Sequence, residues 1–164
     1  MAFFSGLVSF ALIVWLISKL FKKNSYQNFW NASRVGASIM FVIIGVMHLL
    51  KPEALAYMVE DLFPFATELV VISGVTEILF GLGLLWNKTR TISAWLLIIQ
   101  LILMFPANIN VAVNDLAAPG GLPAAAWYTW SRLLFQPVYI YWVYKAANLD
   151  LKSILPTKKE EVLI

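Results

Sequence analysis

What most limits the fold of this chain is a succession of apolar runs about twenty residues long, separated by short stretches that carry most of the charge. An α-helix rises 1.5 Å per residue, so roughly 20 apolar residues cross the ~30 Å hydrocarbon core of a bilayer. Five runs qualify: 2–20, 34–50, 67–86, 91–113 and 127–145. A soluble domain spends about a quarter of its residues on Asp, Glu, Lys and Arg. Here 61% of 164 residues are hydrophobic and 13% charged, too few to coat a water-facing surface. The sequence therefore predicts an all-α, polytopic membrane helix bundle with five transmembrane helices.

The same composition removes other classes. Aromatic residues at 15% are incompatible with intrinsic disorder, and the absence of Cys removes disulfide frameworks, thiol redox centres and cysteine metal sites. With one His, neither a bis-histidine haem nor a three-histidine zinc site can be assembled within one chain. A net charge of +3 would suit nucleic acid only if the cations formed a patch. They flank the apolar runs instead, so the expected partner is the lipid bilayer and not nucleic acid.

Cations collect on the cytoplasmic side of membrane proteins. Of the 12 Lys and Arg residues, Lys19, Lys22, Lys23, Arg34, Lys88, Arg90, Lys145, Lys152, Lys158 and Lys159 fall on one side of a five-span topology. Lys51 alone falls on the other, and Arg132 lies inside the fifth run. This predicts an outside N-terminus and a cytoplasmic C-terminus in a bacterial-type inner membrane. The first run has its cations after it and no small-residue cleavage pattern, so it reads as an uncleaved N-terminal anchor over 1–20. Between the second and third runs, Leu55, Met58, Val59 and Leu62 share one side of a short helix predicted to lie on the outer surface, begun near Pro52 and ended by Pro64. Residues 87–90 allow only a tight hairpin. Pro119, Gly120, Gly121 and Pro123 make 114–126 a flexible outer cap, and 146–164 reads as a polar cytoplasmic tail.

Polar groups within the runs are the candidate site. An ionisable residue in hydrocarbon is costly and faces other helices or a wet cavity. Glu77 is mid-way along the third run; Ser73, Gly74 and Gly81 share its stripe, so it should point into the bundle. Arg132 lies about two turns into the fifth run with Gln136 one turn on, His48 near the end of the second, and Asn108 and Asn110 after Pro106 in the fourth. Depth counting puts Glu77 and Arg132 within reach of one another, so an ion pair is possible, either fixing helix register or also lining a ligand or proton site; without a partner Glu77 must be neutral. His48, Glu77, Asn108, Arg132 and Gln136 are the candidate ligand-binding residues; Gln100 reads as an interhelical hydrogen bond. Pro106 and Pro137 should bend their helices beside this layer.

In several of these places the chain resembles the DoxX-like family of small membrane proteins. The resemblance rests on Arg34 opening a run that ends Gly45-Val46-Met47-His48, on Ser73-Gly74-Val75-Thr76-Glu77-Ile78-Leu79 continuing to Gly81, on Phe105-Pro106-Ala107-Asn108, and on Arg132 with Gln136. It covers about 34–145 and implies a four-helix core to which the first helix is an addition. Some members are associated with quinone-linked oxidoreductases, which implies a quinone as the candidate cofactor and an oxidoreductase or a second copy as candidate partners. No phosphate loop, nucleophile motif or paired-carboxylate site is present. The leading expectation is thus a non-catalytic binding or accessory subunit holding a small amphiphile, quinone-like or lipid, in an outward-facing polar site. The alternatives are a subunit of a quinone-linked oxidoreductase and a structural assembly factor.

Overall fold

The computed structural model describes residues 2–22, 26–117 and 125–150, and among them every regular element is helical. The order is α1 (Ala2–Leu20), α2 (Phe29–Leu50), α3 (Glu53–Ala56), α4 (Ala66–Gly83), α5 (Arg90–Leu103), α6 (Phe105–Val113) and α7 (Ala126–Ala146). Four stretches are long and apolar enough to cross a membrane: α1, α2, α4, and α5 with α6 taken together. The fifth run also forms a helix of sufficient length, 21 residues, but Ser131, Arg132, Gln136 and four tyrosines keep α7 out of that set.

Several boundaries differ from the sequence reading for identifiable reasons. Helix α2 begins at Phe29 because the Asn28 side chain accepts a hydrogen bond from the Trp30 amide at 2.9 Å, satisfying a donor that has no partner within the helix. Arg34 therefore sits in the second turn and not at the entrance. The fourth run divides at Met104: Pro106 brings no amide hydrogen, so α5 closes with Met104 bonding to Gln100 and α6 restarts at Phe105. The predicted surface helix is helical only over Glu53–Ala56 and continues as successive hydrogen-bonded turns to Phe63. Helix α4 stops at Gly83, and the Thr89 hydroxyl donates to the Gly83 carbonyl at 2.8 Å across the tight connection to α5. Of the expected outer cap, 118–124 lie outside the described residues, as do 151–164 of the expected tail.

Helix α2 is the centre of the bundle, packed against α1, α4 and α7. The α2–α4 crossing is set by Gly45 and Gly74: a methyl group built on Gly45 would meet the Gly74 carbonyl oxygen at 2.5 Å, and one on Gly74 would meet the Gly45 carbonyl oxygen at 2.8 Å. With backbones this close, side chains one turn further out meet across the interface. Helix α1 is woven into the core: Leu7 and Ala11 are buried beside Ala37, Met40 and Phe41, and the Phe3 ring meets Phe41 and Tyr139 edge-on at 5.5 and 4.8 Å. Apolar residues on the outer faces, among them Leu16, Ile72, Leu79, Ile102 and Leu134, are exposed. That is the surface expected of a bundle with hydrocarbon around it.

Candidate functional site

A cavity of about 240 Å³ lies inside the bundle, walled by Phe3 of α1, Phe41, Ile44 and His48 of α2, Glu77 of α4, Leu101 of α5, Ala107 and Asn108 of α6, and Tyr128, Arg132, Gln136 and Tyr139 of α7. Met104, at the break between α5 and α6, and Leu55 and Met58 complete the wall. The five residues singled out from the sequence, His48, Glu77, Asn108, Arg132 and Gln136, all line it. Among the described residues no three His, Asp or Glu side chains gather into a metal-ligating group.

One wall is acidic. Glu77 is 3% exposed, and its Oε2 lies 3.0 Å from Nδ1 of His48. That nitrogen is also 3.1 Å from the Ser73 hydroxyl, whose own proton goes to the Val70 carbonyl at 2.8 Å. Nδ1 of His48 therefore lies between the Ser73 hydroxyl and the Glu77 carboxylate, and Oε2 of Glu77 and the hydroxyl meet the same ring nitrogen. Ser, His and Glu here do not make a nucleophilic triad: hydroxyl and carboxylate meet the same ring nitrogen, whereas a relay needs them on opposite ones. Gln100 Nε2 donates to the Ser73 carbonyl at 2.9 Å, joining α5 to α4 as the sequence suggested.

The other wall is basic. Arg132 Nη2 donates to Asn108 Oδ1 at 2.7 Å; Asn108 Nδ2 is 3.4 Å from Gln136 Oε1, and Gln136 Nε2 donates to the Leu101 carbonyl at 2.6 Å. This chain braces α7 against the α5–α6 break. Arg132 Nη1 is buried with no hydrogen-bond partner.

The Glu77–Arg132 ion pair is not formed; the acid's charge neighbour is His48, and the guanidinium is held by Asn108. Both line one cavity, but facing also depends on which helices are neighbours. Helix α4 packs on α2 and α5, and α7 on α2, α5 and α6, so the cavity separates the two charges.

The end of the cavity beside the α2–α4 connection is closed by the α3 segment, pinned by residues outside the five candidates. Asn110, 8% exposed and not among the five candidate ligand-binding residues, donates through Nδ2 to the Met58 carbonyl at 3.0 Å, and its Oδ1 accepts from Asn114 at 2.6 Å. The Tyr57 hydroxyl donates to the Ala117 carbonyl. Burial pushes the Tyr57 phenol above its ordinary value, against a smaller opposing pull from Arg132, so the donor keeps its proton well into the alkaline range. Asn110→Ala should cost about 1 kcal/mol, the net worth of an ordinary hydrogen bond, and speed amide exchange across 55–63. Exchange unchanged in that segment would show that Asn110 does not hold it.

A second hollow, a groove of about 520 Å³ between α5 and α7, is walled by Trp95, Ile98, Ile102, Phe105, Gln136, Pro137, Ile140, Tyr141 and Tyr144. It is apolar, lies on the lateral face, and shares Gln136 with the polar cavity. A family model described as Domain of unknown function (DUF8561) matches residues 37–147, which run from within α2 to just past α7. No curated protein and no solved structure matches the chain.

Proposed function

The chain belongs to the DUF8561 family, and from that premise and the cavity we propose that it is a membrane-embedded binding or accessory protein holding the polar head of a small amphiphile, quinone-like or lipid. The observation that carries this is two opposed polar walls at one cavity: the buried Glu77 carboxylate beside His48 on one, and on the other the Arg132 guanidinium, whose buried Nη1 has no hydrogen-bond partner. An unsatisfied buried polar group costs about 1–3 kcal/mol, and more if charged. A bundle keeps such a group at a hollow, facing a buried acid, when something else completes it. A head with an acceptor toward Arg132 and a donor toward Glu77 fits both. The α5–α7 groove gives its apolar tail a place on the lipid-facing side, with Gln136 between head and tail.

In this reading α7 is the fifth span, α2 and α4–α7 form a DoxX-like four-span core, and α1 is an added helix that also supplies Phe3 to the cavity. The cation distribution then sets the N-terminus outside and the C-terminus in the cytoplasm of a bacterial-type inner membrane, with the cavity in the outer half. A second reading, a subunit of a quinone-linked oxidoreductase, draws on His48 beside Glu77, two titratable groups at one hollow that suit proton transfer to a bound quinone. A purely structural assembly factor would leave the cavity empty.

Native mass spectrometry of the gently extracted full chain tests the binding reading. Wild type should carry a bound small molecule, and Glu77→Gln should retain it about tenfold less, the ~1.4 kcal/mol of one hydrogen bond to a charged group, with insertion intact. If Glu77→Gln only lowered thermal stability and ligand retention stayed the same, the carboxylate would be a structural element and the binding reading would fall.

A further inference from the structure

We propose that the end of the bundle where α2 and α5 begin and α7 ends holds a phosphate group between Arg34 and Arg90. This site is independent of the cavity. Four buried polar atoms at this end have no hydrogen-bond partner: Ser33 Oγ, Arg34 Nη1, Arg90 Nε and Trp142 Nε1. All four can donate, and the guanidinium and indole nitrogens can do nothing else. Ser33 and Arg34 stand in the second turn of α2, Arg90 is the first residue of α5, and Trp142, near the end of α7, packs against Trp30 of α2 with ring centroids 5.8 Å apart.

Both arginines were counted in the sequence as cations that set orientation. Such residues ordinarily extend their heads into water. Arg34 does not: it is 9% exposed, and the formal charge acting on it is the like charge of Arg90. The other group that acts on it is the Tyr26 phenol, neutral near pH 7. Two neighbouring cations, one of them buried, call for an anion.

The donor set selects its kind. Guanidinium forks match the oxygens of a phosphate, and basic pockets between membrane helices near the surface take phosphate-bearing groups. Trp30, Trp86 and Tyr144 belong to the same end, as an interfacial belt would, which puts the arginines at headgroup level. The phosphate is therefore that of an anionic lipid or free phosphate, and the two are separable.

The test uses the full chain in phosphatidylcholine nanodiscs, with thermal unfolding followed as phosphatidylglycerol is added to the bilayer or inorganic phosphate to the buffer. Wild type should be stabilised, and Arg90→Gln should need about tenfold more of the same additive, as expected for losing one charge-assisted contact worth ~1.4 kcal/mol. Arg34→Lys, which keeps the charge but loses the fork, should be weakened in the same direction. A response to phosphatidylglycerol alone identifies a lipid headgroup; a response to inorganic phosphate as well identifies a free phosphate site. Equal responses in wild type and Arg90→Gln would overturn the proposal, as would no response to either additive. It would be overturned too by a response that appeared only after Glu160→Gln and Glu161→Gln, because the chain's own carboxylates would then occupy the arginines.

Discussion

Gly45→Val should be among the most damaging single substitutions in the bundle, lowering stability by about 3 kcal/mol, the upper end of what overpacking costs. Even the first added carbon would lie 2.5 Å from the Gly74 carbonyl oxygen and 2.7 Å from Ile78 Cγ1, and a backbone oxygen cannot turn aside as a flexible side chain can. The helices would have to move apart. Because His48 follows Gly45 by one turn and Ser73 precedes Gly74, the separation should also pull Nδ1 of His48 away from Ser73 and Glu77. Thermal unfolding in detergent reads the first effect, and the imidazole resonances of this sole histidine read the second. A variant as stable as wild type, with the histidine signal unmoved, would mean that the α2–α4 contact is looser than the Gly45–Gly74 approach requires.

Arg132→Met should separate binding from stability. The substitution keeps length and apolar contact while removing a buried cation whose Nη1 has no partner and whose Nη2 is held by a neutral amide. Burying a charge without a counter-charge costs several kcal/mol, so the unliganded bundle should be no less stable than wild type and should gain about 1 kcal/mol. Ligand retention should fall by at least tenfold, about 1.4 kcal/mol, from the loss of the basic wall. Thermal unfolding of delipidated protein gives the first quantity and native mass spectrometry the second. Loss of stability without loss of ligand would reverse the assignment and make Arg132 a structural brace. Gln136 should behave in the opposite way, since its amide fills the Leu101 carbonyl at the α5–α6 break and its removal would strand that acceptor.

Much of the architecture was legible before any coordinates, because hydrocarbon leaves a chain few options: backbone groups must be satisfied within helices, and polar side chains must turn inward. Glu77 was placed in the interior by the small residues on its stripe, and it is buried against α2 through that stripe. Asn28 drew no reading from the sequence, and the partner of Asn110 was not legible there. Asn28 is an ordinary cap signal that lies outside the apolar run starting at Arg34, and Asn110 gains its role from a carbonyl 52 positions away in sequence, for which no local pattern exists.

The sequence by itself determined that the chain forms long apolar helices carrying a layer of polar residues, since the length and spacing of apolar residues set both. Only the tertiary structure decided how that layer is partnered. Depth follows from counting residues along one helix, but direction around its axis has meaning only once the neighbours are known. The packing of α2 between α1, α4 and α7 therefore gave Glu77 to His48, gave Arg132 to Asn108, and left a hollow between them.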